Sequence, residues 1–497
     1  MQTTDLRPCM RWLLTVGVLT AAPLMALADT AKQGYLNPEL TRQVDDLFSE
    51  WTRPGHPGAA LGIVKDGRLI YARGYGMANL EYDIPITSAS VFRTGSIGKQ
   101  FTAMCIALQV QRGQISLDDD IRKYLPEMPQ YEAPITIRHL IHHTSGLRGY
   151  LVLMGLAGRV GDYFITPTQA LELLARQKAL NFRPGEKYLY SNSGYFLLGE
   201  IVARVSGVSL AEFARQNLFV PLGMNNTHVH DDRNRIVRNR ATGYKRLAGG
   251  NFKISTTQLE IVGDGSVFTT VEDFLKWDQH YATGKLDNGK GSLLEMVLTT
   301  GKLNDGTDMG YAFGLTTDTY RGLKRIHHSG SFMGYIANYV RFPDQAFSVY
   351  VFANVSAMEP ERLTTAIADL FLQDEYTSET VAKEEQNWQG AREALPEGIA
   401  LSDSALRKFT GSYYSEELDV VAQLALDDTR LIMELELTRD TLIPVSGKRF
   451  ITTYANDDAY DLSSRALEFL SDKNDQVTGF LMHADPIFNI QFVKAGR

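Results

Sequence analysis

Hydrophobic and polar positions along the chain follow two regimes. From about Tyr35 to Gln373, strand-like and helix-like stretches alternate, separated by Gly-containing turns. Ala60–Val64 and Leu69–Tyr71 flank Lys65-Asp66-Gly67-Arg68, which predicts a hairpin. Ile97–Arg112 reads as a helix, with Phe101, Met104, Ile106 and Leu108 as apolar positions and Gly113 placed for a C-cap. Thr166-Pro167-Thr168-Gln169 opens a helix with a capping box and Pro in its first turn. Gly194–Val205 and Leu210–Phe219 have helical patterns. Ala337–Phe342 and Phe347–Phe352 are β-rich runs around Pro343-Asp344, and Arg362–Leu372 is a closing helix. This unequal clustering predicts an α+β domain with antiparallel pairing rather than a βαβ repeat.

Beyond Gln373 the pattern changes. Residues 376–402 are rich in acidic side chains and poor in apolar periodicity, as a linker would be. Period-two alternation follows: Val420, Ala422, Leu424 and Leu426, then a turn at Asp427-Asp428-Thr429, then Leu431, Met433, Leu435 and Leu437. Phe488, Ile490 and Phe492 end the chain in the same way. Residues 403–497 are therefore expected to form a small all-β barrel or sandwich, after a first domain over 29–375.

The N-terminal residues predict export. Arg7 and Arg11 precede an apolar stretch, Trp12–Leu27, and Ala26-Leu27-Ala28 has the A-x-A form of a signal-peptidase site. A signal peptide over 1–28 is expected, with retention as an anchor the alternative; the stretch is short for a membrane span. A periplasmic or secreted location follows, without a stable span after cleavage. Cys105 then remains alone, so no internal disulfide forms. The net charge of −8 and the scattered basic residues argue against nucleic acid as a partner.

Ser96-Ile97-Gly98-Lys99 places a hydroxyl and an amine at i and i+3 at a helix start, on one face. The helix N-terminus favours an alkoxide and disfavours a charged lysine, so a neutral amine can act as base. The spacing alone has little specificity, but two further motifs follow. Tyr190-Ser191-Asn192 sits on a loop before a helix. Its phenol can ionise near cationic groups and shuttle protons, and its amide can hold a substrate carbonyl. His328-Ser329-Gly330-Ser331 precedes a β-rich run, where a backbone N–H can complete an oxyanion hole.

With Ser-x-x-Lys, Tyr-x-Asn and His-x-Gly in this order, the chain resembles the serine β-lactamase and penicillin-binding protein superfamily. Within it the class C-like hydrolases are nearest, a group that includes D-alanyl-D-alanine carboxypeptidases, D-aminopeptidases and esterases. The likeness spans about residues 40–370. It includes Phe92-Arg93-Thr94-Gly95-Ser96, Ile135–Leu140 with Thr144-Ser145-Gly146-Leu147, and Pro221-Leu222-Gly223-Met224. The resemblance implies a β-lactamase/transpeptidase-like fold, an antiparallel sheet flanked by helices with a helical subdomain. It implies Ser96 as acylated nucleophile, Lys99 as its activator and Tyr190 as proton shuttle. Asn192 would bind the amide or ester side, and the N–H groups of Ser96 and Ser331 would form the oxyanion hole beside His328 and Gly330. No cofactor or metal is implied, and the partner is a small-molecule or peptide substrate. The C-terminal strands resemble a lipocalin-like barrel, which would bind ligand, cover the active-site mouth or mediate oligomers.

Many penicillin-recognising members carry Lys where this chain has His328, and a neutral His offers no fixed charge to a substrate carboxylate. Small esters and D-amino-acid peptides are thus the expected substrates, with β-lactam hydrolysis or a non-turnover penicillin-binding sensor as alternatives. His139, His142 and His143 have metal-ligand spacing but no carboxylate in the run, and are expected to be satisfied helix histidines. His228 and His230 are expected at the surface, and His327 to face away from His328. Gly74-Tyr75-Gly76 and Gly263-Asp264-Gly265 are expected as tight turns. Leu151–Gly161 is a pocket lid or packed loop, with Tyr150 at the pocket edge.

Overall fold

The computed structural model describes residues 36–159, 165–377, 397–453 and 464–495. The expected signal peptide and most of the expected linker lie outside them.

A six-stranded antiparallel sheet organises the first part of the molecule. Its strands are β1 (Ala59–Lys65), β2 (Arg68–Tyr75), β3 (Thr316–Tyr320), β4 (Leu323–Phe332), β5 (Tyr335–Phe342) and β6 (Phe347–Ala353), in the order β3-β4-β5-β6-β1-β2. Asp66-Gly67 makes the predicted hairpin turn, with both residues at positive φ. Strand β6 is buried along its whole length because both sheet faces are covered. Alternate residues of β1 accordingly belong to different cores. Ala60 and Val64 pack on the helical side, whereas Ala59, Leu61 and Ile63 pack against the terminal helices through Val44, Leu363 and Ile367.

Five helices matter for the site: α1 (Lys99–Gln111), α2 (Tyr150–Leu156), α3 (Asn192–Ser206), α4 (Val271–Thr283) and α5 (Pro360–Leu372). Helix α1 is buried from Lys99 to Gln109 on every face, so it has no solvent stripe. Several of its polar atoms bond inside: the Gln100 carbonyl accepts from Trp277 Nε1 (3.0 Å) and Tyr281 Oη (3.2 Å), and Thr102 Oγ1 donates to Gly263 O (2.8 Å).

The C-terminal strands close into an eight-stranded antiparallel barrel. They are β7 (Gly411–Ser415), β8 (Val420–Asp427), β9 (Arg430–Leu435), β10 (Thr438–Pro444), β11 (Arg449–Thr453), β12 (Ser464–Ser471), β13 (Val477–Ala484) and β14 (Ile487–Lys494). Its interior is filled by Phe409, Tyr413, Phe450, Phe469, Phe480 and Phe492 in mutual ring contact. Two alternating positions depart from expectation. Leu437 lies in the β9–β10 turn and is exposed, and Phe488 is exposed because the register shifts between Met482 and Ala484 and Asn489 takes a positive φ.

Other expectations need correction. Gly74 lies inside β2 rather than in a turn, where a Cβ would sit 2.0 Å from Ile86 O. His230 is not a surface residue, and His228 is half-buried. The short strand His228–Val229 pairs with Val267–Thr269, which buries His230 and brings His228 Nε2 to 3.1 Å from His230 Nδ1. Leu151–Gly161 is not a loop throughout, since α2 occupies its first half.

Under the sheet, Asp278 Oδ1 accepts from Tyr339 Oη (2.7 Å), Arg341 Nη1 (2.6 Å) and Ser348 Oγ (2.7 Å). Removing one member of such a buried pair strands the other charge, at a cost of about 3–5 kcal/mol. Asp278→Ala should therefore lower the urea unfolding midpoint markedly; an unchanged midpoint would show that Arg341 finds another partner.

Candidate active site

Ser96 lies in a 3₁₀ turn, Gly95–Gly98, that leads into α1 at Lys99. In a 3₁₀ turn residues i and i+3 eclipse, which sets the Lys99 side chain over Ser96. The Lys99 ammonium position is fully buried. Its Nζ lies 3.0 Å from Ser96 Oγ, 2.8 Å from Asn192 Oδ1 and 2.6 Å from Asp264 O. It also sits over the rings of Tyr190 (4.7 Å) and Tyr195 (5.5 Å). Burial lowers the Lys99 pKa to about 7, against a smaller opposing pull from Asp264. A neutral amine has two N–H groups and one lone pair. With Asn192 Oδ1 and Asp264 O taking the two hydrogens, the lone pair is left for the Ser96 hydroxyl.

The Tyr190 phenol lies beside Ser96, with its ring facing the Lys99 Nζ. Burial holds the phenol well above its ordinary pKa, and the neighbouring phenols and Asp264 push the same way. Ionisation of Tyr190, expected from nearby cations, is therefore opposed: burial of the phenolate outweighs a lysine that is itself largely neutral. The Tyr190 phenol is thus held in its protonated form.

Strand β4 approaches Ser96 more closely than side chains would allow. A Cβ on Gly330 would lie 2.0 Å from Thr94 O and 2.9 Å from Ser96 N, and one on Gly95 would lie 2.6 Å from Ser331 N. Gly265 closes the third side, 3.0 Å from Gly95 by the same measure. The backbone around Ser96 thus approaches that around Ser331 at a closeness that only glycine at 95 and 330 permits. Gly263-Asp264-Gly265 is a wall of the site rather than an isolated turn.

His328 is buried, and burial lowers its pKa to about 3. Its Nδ1 lies 2.5 Å from Ser329 O, an acceptor, so Nδ1 carries the proton; Nε2, 3.0 Å away, accepts from Tyr311 Oη. His328 is neutral and brings no positive charge to the site. His327 turns to the other face and meets Asp318 (3.2 Å).

The three spaced histidines each have a separate partner. His139 Nδ1 accepts from Thr136 N in a capping box, His142 Nδ1 is 3.0 Å from Tyr311 O, and His143 Nδ1 accepts from Ser191 N (3.0 Å). No group of three or more metal-type side chains occurs among the described residues. His143 is not a helix residue: the helix ends at Ile141, and His143 has φ 58°. Its ring packs 4.2 Å from Tyr190 and 4.7 Å from Tyr311, centroid to centroid. Sequence reasoning missed it as a site residue, although it adjoins the Thr144-Ser145-Gly146-Leu147 stretch. Asp264 and Tyr311 were missed too; a backbone carbonyl and a distant loop leave no motif. Tyr150 lies at the pocket as expected and donates to Asp264 Oδ2 (2.7 Å).

Arg93, Ser96, Tyr150, Asn192, Asp264 and Ser331 line a cleft with about 330 Å³ of empty space. Gly330→Ala should displace β4 and slow covalent labelling of Ser96 by ~100-fold or more, the size of losing an oxyanion donor. The second-order rate with a fluorophosphonate checks this; wild-type rates would show that the approach tolerates a methyl group.

Comparison with known proteins agrees with this geometry. The Beta-lactamase family profile matches residues 40–373. Penicillin-binding protein 4* of Bacillus subtilis (strain 168) is 29% identical over 405 residues, covering 77% of this chain and 85% of that protein. A D-aminopeptidase of Cereibacter sphaeroides (strain KD131 / KCTC 12085) is 29% identical over 302 residues, or 61% of this chain, and the match spans 57% of that enzyme's length. In fold, an octameric penicillin-binding protein homologue from Pyrococcus abyssi superimposes with a TM-score of 0.59 at 23% identity, covering 92% of this chain and 99% of that one. The chain belongs to the Beta-lactamase family and is a serine hydrolase of that fold.

Proposed function

We propose that the protein is an exported hydrolase that forms an acyl-enzyme on Ser96 and acts on D-amino-acid amides and peptides or small esters. The observation that carries this reading is the buried Lys99 Nζ 3.0 Å from Ser96 Oγ, where burial lowers the amine's pKa to about 7. Ser96 Oγ attacks the carbonyl carbon and its proton passes to Lys99 Nζ. The resulting oxyanion is stabilised by the N–H groups of Ser96 and Ser331. When the bond to the leaving nitrogen or oxygen breaks, the Tyr190 hydroxyl donates the proton that the leaving group needs, and Lys99 returns one to Tyr190. Water then attacks the ester carbonyl, its proton retracing the same path, and the acid is released.

Substrate class follows from charge. A neutral His328 offers nothing to a terminal carboxylate, which disfavours peptides ending in a free carboxylate and penicillins, and favours amides, N-terminal D-residues and esters. The D-aminopeptidase relatives point the same way. Export is supported by the Arg-led apolar stretch ending in Ala26-Leu27-Ala28. No helix among the described residues is long and apolar enough to cross a membrane.

Turnover of a D-alanine p-nitroanilide and p-nitrophenyl butyrate by wild type, lost in Ser96→Ala without change in circular dichroism, is the expected result. Rapid nitrocefin turnover with negligible ester or D-amide hydrolysis would overturn the substrate assignment. Acylation needs the unprotonated amine, so its rate should rise as pH increases through about 7 and then level off. A rate flat from pH 5 to 9 would remove Lys99 from the base role.

A further inference from the structure

The barrel meets the hydrolase domain through a buried ion pair. Arg148 and Glu417 have side-chain exposures of 0% and 3%. Glu417 lies in the turn between β7 and β8, and its Oε1 accepts from Arg148 Nη1 (2.5 Å) and Lys178 N (3.0 Å). Its Oε2 accepts from Gln491 N (3.0 Å) in β14. Arg148 also donates through Nη2 to the carbonyls of Phe488 (2.8 Å) and Asn489 (2.9 Å), and through Nη1 to Gln177 Oε1 (2.9 Å). Among the described residues, Gln177 is the one acceptor around this guanidinium that comes from the hydrolase domain. The arginine belongs to one domain and is neutralised by the other.

From Arg148 the contact continues to the catalytic centre in two steps. Ser193 Oγ donates to Arg148 O (2.7 Å) and accepts from Tyr150 N (2.8 Å), which ties the start of α2 to the start of α3. The residue before Ser193 is Asn192, whose Oδ1 takes one of the two Lys99 hydrogens. Tyr150, in turn, donates to Asp264 Oδ2, and the Asp264 carbonyl takes the other. Both acceptors that orient the Lys99 lone pair therefore hang on the segment Arg148–Tyr150.

We propose that Glu417 of the barrel is a positioning residue for the reaction: by fixing Arg148 it holds Asn192 and Asp264 where they turn the Lys99 lone pair toward Ser96. The inference rests on the reading of Ser96 and Lys99 as nucleophile and base. A charge that is buried and paired only across a domain boundary ties the two domains together, because undocking leaves the guanidinium uncompensated. The barrel, whose own interior is packed with aromatic side chains, acts through its outer turns.

The test is a double-mutant cycle in the full-length protein with Glu417→Gln, Ser193→Ala and both together. Fluorophosphonate labelling of Ser96 and steady-state ester hydrolysis are read at matched stability, by working well below each thermal midpoint. Each single change should slow labelling about 10–100-fold and lower kcat more than it raises KM. The double variant should be no slower than the worse single, because both cut one link. Glu417→Asp, which keeps the charge, should recover part of the rate, and it takes the place of Glu417→Gln in the cycle should the latter not fold. Wild-type labelling in the Glu417 variant, or losses that multiply, would overturn the brace while leaving the catalytic reading intact. A wild-type protein that is not labelled at Ser96 would overturn both.

Discussion

Burying an amine without a carboxylate partner is the constraint around which this molecule is arranged. An ammonium in a dry site is costly, and the usual resolution is a paired anion or loss of the proton. At Lys99 the partners are a carboxamide oxygen, a peptide carbonyl and a hydroxyl, all uncharged. None repays the desolvation of a full charge, so the proton binds weakly and the amine becomes a base near neutral pH. The fold serves this end by burying α1 on all sides, at the junction of the sheet and the helical layer.

The other titratable groups nearby follow the same rule. His143, His328, Tyr190 and Tyr311 are all driven toward their neutral forms by burial. Proton transfer among neutral groups needs little solvent reorganisation in such a site, and in the proposed mechanism the charge that develops at the substrate oxygen meets the N–H donors of Ser96 and Ser331. Those donors are close enough to act because Gly95, Gly265 and Gly330 leave no Cβ between β4 and the turn that holds Ser96. Shape and electrostatics are thus solved by the same few residues.

Much of this was legible in the sequence, and the gaps have physical causes. Ser-x-x-Lys before an apolar run placed Ser96 and Lys99 together, since i and i+3 are neighbours in any helical turn. The β-lactamase-like fold and the C-terminal barrel followed from motif order and period-two alternation. Position by position the alternation failed where backbone geometry intervened, at the β9–β10 turn with Leu437 and at the register shift beside Phe488. A contact made by a main-chain atom was invisible: the Asp264 carbonyl on Lys99 carries no side-chain signature. His143 read as one of three helix histidines because spacing does not reveal that the helix stops at Ile141. Arg148 and Glu417 lie 269 residues apart, a pairing that only the folded chain creates.

The central claim is the protonation state of one lysine. Nuclear magnetic resonance of protein carrying 13C at the lysine Cε positions reports each amine's titration directly. One resonance should titrate near pH 7, well below the ordinary lysine value of about 10.4, and disappear in Lys99→Met. A spectrum in which every lysine, Lys99 included, titrates near that ordinary value would contradict the account.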